Sequence, residues 1–241
     1  MKYAIVSDIH GNLESLQRAF ASIDDDDVVM CLGDIVGYGP NPNECVAMVR
    51  DRAKHAVLGN HDLATIENFG VEYFNEVAKA AIAWTQGVLS EENRRWLNDL
   101  SYELRLPEFL LVHGAPVTYF EYILDKRTAL KAFKATDAPL IFIGHTHIAE
   151  YWVLEPDGTV SHQHMQRGGV LDLERGKRYI IDVGSVGQPR DLNPDASFVR
   201  FDAEARRIEW VRYDYPIVAV QEKIARAHLP EYLAMRLESG R

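Results

Sequence analysis

With 241 residues and 47% hydrophobic content, the chain can build one large domain, or a domain with a small appendage, around a sizeable core. Its formal charge of -10 argues against general nucleic-acid binding, which needs excess Lys and Arg facing phosphates. The opening MKYAIVSDIHG has too short an apolar run for a secretory signal, no stretch reaches the ~18 apolar residues of a membrane span, and Cys31 and Cys45 form no CxxC pair. A membrane-spanning helix, a disulfide framework and a thiolate zinc site are therefore not expected, and a cytoplasmic location is the expectation.

In chain order, KYAIVSD is expected as a strand, followed by a helix in which Leu13, Leu16, Phe20 and Ile23 recur at helical spacing behind Asn12, a good N-cap. The run Asp24 to Asp27 reads as a solvated turn. VVMCLGD is the second strand, NPNECVAMVRD a helix with Pro42 in its first turn, and HAVLGNHD the third strand. Such alternation is the pattern of βαβ units and a largely parallel sheet. Residues 63–100 turn helical, with Ser90 before Glu91 and Glu92 as a capped start, and form an insertion covering a sheet edge or overhanging a site.

EFLLVHG and PLIFIGH then read as strands around the helix RTALKAFKAT. From about residue 148 the pattern becomes antiparallel hairpins: AEYWVL with TVSHQHM around EPDG, GVLDL with RYIIDVG around ERGK, and SFVRFD with IEWVRYDY around AEARR. A terminal helix is expected from about Val218 to Leu237. No linker or repeat appears, so residues 1–241 are expected to form a single domain with two sheets.

Polar residues follow each apolar strand: Asp8 and His10, Asp34, Asn60 and His61, His113, and His145 with His147. In α/β sheets that edge is where sites are built. Five of the nine histidines lie there. In an extended chain side chains two apart share a side, so His145 and His147 can reach one spot. All are metal-ligating types. With His61 set aside, seven remain, too many for one tetrahedral zinc but suited to two ions about 3.5–4 Å apart with one bridging carboxylate. Asp34, alone on its strand, is the natural bridge. His162 and His164 are also two apart, but follow the EPDG turn and read as one face of an exposed strand. His55 and His228 receive no role.

The blocks DIHGN (8–12), GDIVGYGP (33–40), GNHD (59–62), HG (113–114) and GHTH (144–147), in this order, resemble the calcineurin-like metallophosphoesterases. The resemblance spans about 145 residues and implies an α/β fold, a four-layer α/β/β/α sandwich of two mixed sheets flanked by helices. It implies that Asp8, His10 and His147 hold one divalent ion, that Asn60, His113 and His145 hold another, and that Asp34 bridges them. His61 resembles the catalytic histidine, and Asn60 also borders the substrate. Phosphoprotein phosphatases carry Asp-Arg where this chain has Gly37 and Tyr38, whereas GDIVGYGPNPNEC and GSVGQPRD (184–191) look more like the small bacterial phosphodiesterase branch.

The implied activity is hydrolysis of a phosphoester, foremost a phosphodiester, by in-line attack of a hydroxide bridging two divalent metals: manganese, iron, zinc or cobalt. The implied partner is a small phosphoester, nucleotides among the candidates, with no stable nucleic-acid or membrane binding. Phosphomonoesters, phosphoproteins and dinucleoside polyphosphates are the alternative substrates, and a non-catalytic adaptor on the same fold is the alternative class, although adaptors typically lack part of the ligand set present here. A metallohydrolase of amides would show HxHxDH, which HTHIAE lacks. Arg190 is either a phosphate-binding cation or a surface ion-pair residue. Tyr38 either stacks on a base or packs its own turn.

Overall fold

A computed structural model describes all 241 residues. The early strands are short and buried, and their alternate side chains go to different cores. In β1 (Lys2–Val6), Tyr3 and Ile5 face a cluster between two sheets, while Ala4 and Val6 face α1 (Leu13–Ser22) and α2 (Pro42–Arg52). β2 (Val28–Cys31) divides likewise, with Met30 inward and Val29 and Cys31 toward the helices. On the other side, β5 (Leu110–Val112) and β6 (Leu140–Ile143) send Leu111, Leu140 and Phe142 into the same central cluster, and Ile141 and Ile143 against α6 (Lys126–Ala135). Strands buried on both faces, each face meeting a different layer, make a four-layer α/β/β/α sandwich.

The remaining elements are β3 (His55–Ala56), α3 (Asn60–Glu67), α4 (Glu76–Val88), α5 (Glu91–Asn98), β4 (Glu103–Arg105), β7 (Ala149–Leu154), β8 (Val160–His164), β9 (Gly169–Asp172), β10 (Arg178–Val183), β11 (Ala196–Asp202), β12 (Arg207–Tyr213), α7 (Ile217–Arg226) and α8 (Glu231–Met235). The two six-stranded sheets run β3-β2-β1-β11-β12-β9 and β4-β5-β6-β10-β7-β8. Both are mixed: β1 pairs parallel to β2 and antiparallel to β11, and β10 pairs parallel to β6 and antiparallel to β7. The expected caps form, with Asn12 Oδ1 accepting from Ser15 N and Ser90 Oγ from Asn93 N. No helix is long and apolar enough to cross a membrane.

Three expectations are corrected. GVLDL and RYIIDVG do not form a hairpin: β9 pairs with β12 and β10 lies between β6 and β7, so ERGK crosses from one sheet to the other. The burial explains this, because β10 is buried from Tyr179 to Val183 and needs a central place, whereas β9 is largely exposed and sits at an edge. The terminal helix is two pieces, since His228 at φ +53° and Pro230 interrupt it and Leu229 drops into the core. The third strand ends at Ala56, and Asn60 and His61 open α3 rather than prolonging a strand.

Candidate functional site

The turns leaving β1, β2 and β6 are tight, and side chains share their left-handed positions with Gly11, Gly33 and Gly37. Asp8, His10, Asp34, Tyr38, His145 and His147 have φ between +48° and +69°, and they account for six of the eleven non-glycine residues at positive φ in the chain. A non-glycine residue there costs roughly 1 kcal/mol or more, so the strain is concentrated where these side chains converge. Glycines make the convergence possible. A Cβ on Gly144 would strike Ser7 and Asp8, and one on Gly187, in the GSVGQPRD loop, would strike the Ile9 carbonyl.

All seven expected ligand residues meet, six of them buried. His147 Nε2 lies 3.2 Å from Asp8 Oδ1, His10 Nε2 is 3.6 Å from Asp34 Oδ2, and His113 Nε2 is 3.3 Å from the same Asp34 oxygen. Asn60 Oδ1 sits 3.1 Å from His113 Nε2. The ligand atoms form two groups, Asp8, His10, Asp34 and His147 in one and Asp34, His113 and His145 in the other, with Asp34 in both. The start of α3 faces this centre, and the His61 amide donates to Asp34 Oδ1 at 2.8 Å.

The second ring nitrogens fix which atoms face inward. Nδ1 of His10, His113 and His147 donates to the carbonyls of Val36 (3.1 Å), Leu32 (2.8 Å) and Gln188 (2.6 Å), and His145 Nε2 donates to the Phe120 carbonyl at 3.0 Å. A carbonyl only accepts, so each ring turns its other nitrogen toward the centre, and a neutral ring presents a bare lone pair there. His10 Nε2 and His147 Nε2 then oppose each other at 3.2 Å, and Asp8 Oδ1 is buried with no hydrogen-bond partner. What this donor set lacks is positive charge, so the residues fit divalent cations. Burial pushes the His10 pKa well below the imidazole range and that of His145 down to about 3, favouring the unprotonated, ligating form. At His113 burial acts the same way but Asp34 outweighs it, raising the ring to about 9.

His61 stands apart. It belongs to neither ligand group, and its Nδ1 is buried without a partner. Tyr38, His10 and Phe74 pack its ring at centroid distances of 4.4, 4.8 and 4.8 Å. Burial, ahead of the opposing pull of Asp34, lowers its pKa to about 4. Tyr38 is 8% exposed and wedged between His10 and His61, which leaves no open face for a base and favours the packing reading. Arg190 makes no ion pair: its Nη2 donates to Gln188 Oε1 at 3.0 Å, and its guanidinium carbon lies 5.8 Å from the Tyr38 ring centre.

Sequence reasoning passed over the aromatic wall beside the ligands. Phe69 and Phe74, from the segment between α3 and α4, and Phe120 and Tyr122, from the loop between β5 and α6, enclose a cavity of about 390 Å³ that reaches Asn60 and His145. Tyr122 stacks on His145 with centroids 3.8 Å apart. Two aromatic-rich stretches without periodicity, FGVEYF and TYFEY, were the available signal.

A protein of Methanocaldococcus jannaschii described as uncharacterized is 38% identical over 246 residues, spanning 99% of this chain and 98% of that protein. The crystal structure of a metallophosphoesterase from Sphaerobacter thermophilus superposes with a TM-score of 0.90 at 40% identity, covering 100% of both chains. A hypothetical protein from Pyrococcus horikoshii shares the fold, with a TM-score of 0.79 at 20% identity over 100% of this chain and 98% of its own. The family model for calcineurin-like phosphoesterases matches residues 1–149, the segment that supplies all seven converging side chains, and the chain therefore belongs to the calcineurin-like phosphoesterase family.

Proposed function

We propose that the protein is a metal-dependent phosphodiesterase for small diesters whose leaving alcohol is a phenol or a nucleoside. The membership of Asp34 in both groups of ligand atoms carries this reading. Asp8, His10 and His147 would hold one cation and Asn60, His113 and His145 the other, with Asp34 shared. Two divalent ions of the manganese, iron, zinc or cobalt class would supply Lewis-acid charge to a phosphoryl group and bring the pKa of a coordinated water near 7.

The chain's own residues supply the rest. The seven carboxylate, amide and imidazole side chains at this centre leave docking of an anion to the cations and to Arg190, whose guanidinium has no carboxylate partner. His61, which belongs to neither ligand group, would donate a proton to the departing oxygen. A bound phosphate would raise its depressed pKa by opposite charge, and such proton transfer is typically worth 10²–10⁴-fold. Tyr38 and Phe74 hold its ring in place.

The aromatic cavity favours a diester over a free phosphomonoester, because it offers apolar surface for a second substituent immediately beside Asn60 and His145. Turnover of bis(p-nitrophenyl) phosphate against p-nitrophenyl phosphate, in metal-reconstituted protein, tests this. The diester is expected to be the better substrate, and preference for the monoester would overturn the reading.

A further inference from the structure

Away from Asp34, the outer face of the β7–β8 hairpin gathers a second set of ligand atoms. The alternation that sends Val153 into the central core sends Glu150 and Trp152 toward the α6 side, and the antiparallel register sets Glu150 opposite His164 and Trp152 opposite His162. The two histidines are therefore not simply one exposed strand face. Glu150 is 3% exposed, and its Oε2 lies 2.7 Å from His162 Nε2 and 3.0 Å from His164 Nδ1. The His162 ring lies flat on Trp152, centroids 3.9 Å apart, which fixes its direction.

On the other flank of Glu150 the ladder places Asp182, fully buried, whose oxygens accept from Thr146 Oγ1 (2.7 Å) and Gly184 N (3.0 Å). Two carboxylates thus sit side by side beneath the surface, and the ion-pair partners of Glu150 are these two histidines alone. Buried like charges without a cation are costly. The ligand atoms of Glu150, His162 and His164 all lie within 4.8 Å of one another.

We propose that Glu150, His162 and His164 form a separate binding site for a divalent cation of the zinc class. Two imidazoles and one carboxylate match zinc's preference, with a fourth position left to water. Metal–ligand bonds of about 2.0–2.2 Å put tetrahedral ligand atoms about 3.3–3.5 Å apart, so the ion enters by spreading the two hydrogen bonds by roughly half an ångström and releasing their protons to solvent. His164, with its side chain 62% exposed, provides the way in. The ion would fasten β8, an edge strand, to β7.

The test adds zinc chloride to the full-length protein and to a His162→Gln/His164→Gln variant, and counts bound zinc by elemental analysis after desalting. The wild type is expected to retain one more equivalent than the variant, and cobalt(II) to give tetrahedral visible bands that the variant loses, while diester turnover stays the same. Equal zinc counts and equal cobalt spectra would overturn the proposal and leave a hydrogen-bonded His-Glu-His group. Should the double variant fail to fold, His164→Gln alone, at an exposed position, is measured instead: at least tenfold weaker zinc binding at one site supports the proposal, and unchanged binding refutes it. The site rests on the hairpin alone, so its failure leaves the Asp34 reading untouched.

Discussion

At the residue scale, the proposed ligand and proton-donor roles separate by contact. His61→Ala is expected to lower kcat by about 10²–10⁴-fold while metal content stays at the wild-type level, because the ring belongs to neither ligand group. Gly37→Ala makes the same point without touching the imidazole. Gly37 has φ +89°, and an added Cβ would lie 2.7 Å from His61 Nδ1, so the ring must move. Steady-state kinetics with elemental analysis should show reduced turnover with metals retained, and loss of metal from either variant would make His61 a structural support of the ligands. The cysteines carry a different expectation. Burial raises the thiol pKa of both Cys31 and Cys45, so neither should react with a thiol reagent at pH 8 in the native protein, and both should react in denaturant.

At the element scale, what could be read in advance tracks how local its cause was. The N-cap at Asn12, the proline start of α2 and the hairpins β7–β8 and β11–β12 depend on neighbours in sequence, and each formed as the residues predicted. β9 and β10 looked like a hairpin because ERGK is a good turn, but their places were decided by which strand could bury both faces, a long-range matter. Asn60 and His61 were placed at the right edge but on the wrong element: Asp62 accepts amide bonds from Gly59, Ile35 and Val36, which anchors a helix start where a strand exit was expected. The site residues were legible because ligand types at strand exits are a one-dimensional pattern. The carbonyls of Leu32, Val36 and Gln188 that orient the rings were not, because any residue supplies a carbonyl. α6 gives a test of packing: Phe133, 1% exposed between that helix and the second sheet, should cost about 3–5 kcal/mol when truncated to Ala, measured by denaturant unfolding.

At the scale of the whole molecule, the sheets bring five distant segments to one edge, and the outcome is a buried cluster of carboxylates and imidazoles in a chain of net charge -10. Cations bound there act on folding as well as on chemistry. At metal concentrations ~100 times Kd the native state gains about 2.7 kcal/mol, so chelation should lower Tm by roughly 5–10 °C, measured by calorimetry. The most direct measurement is anomalous diffraction from manganese-soaked crystals of the full chain. Two peaks flanking the Asp34 carboxylate, one near Asp8, His10 and His147 and one near Asn60, His113 and His145, are the predicted result. A single peak, or none touching Asp34, would contradict the account.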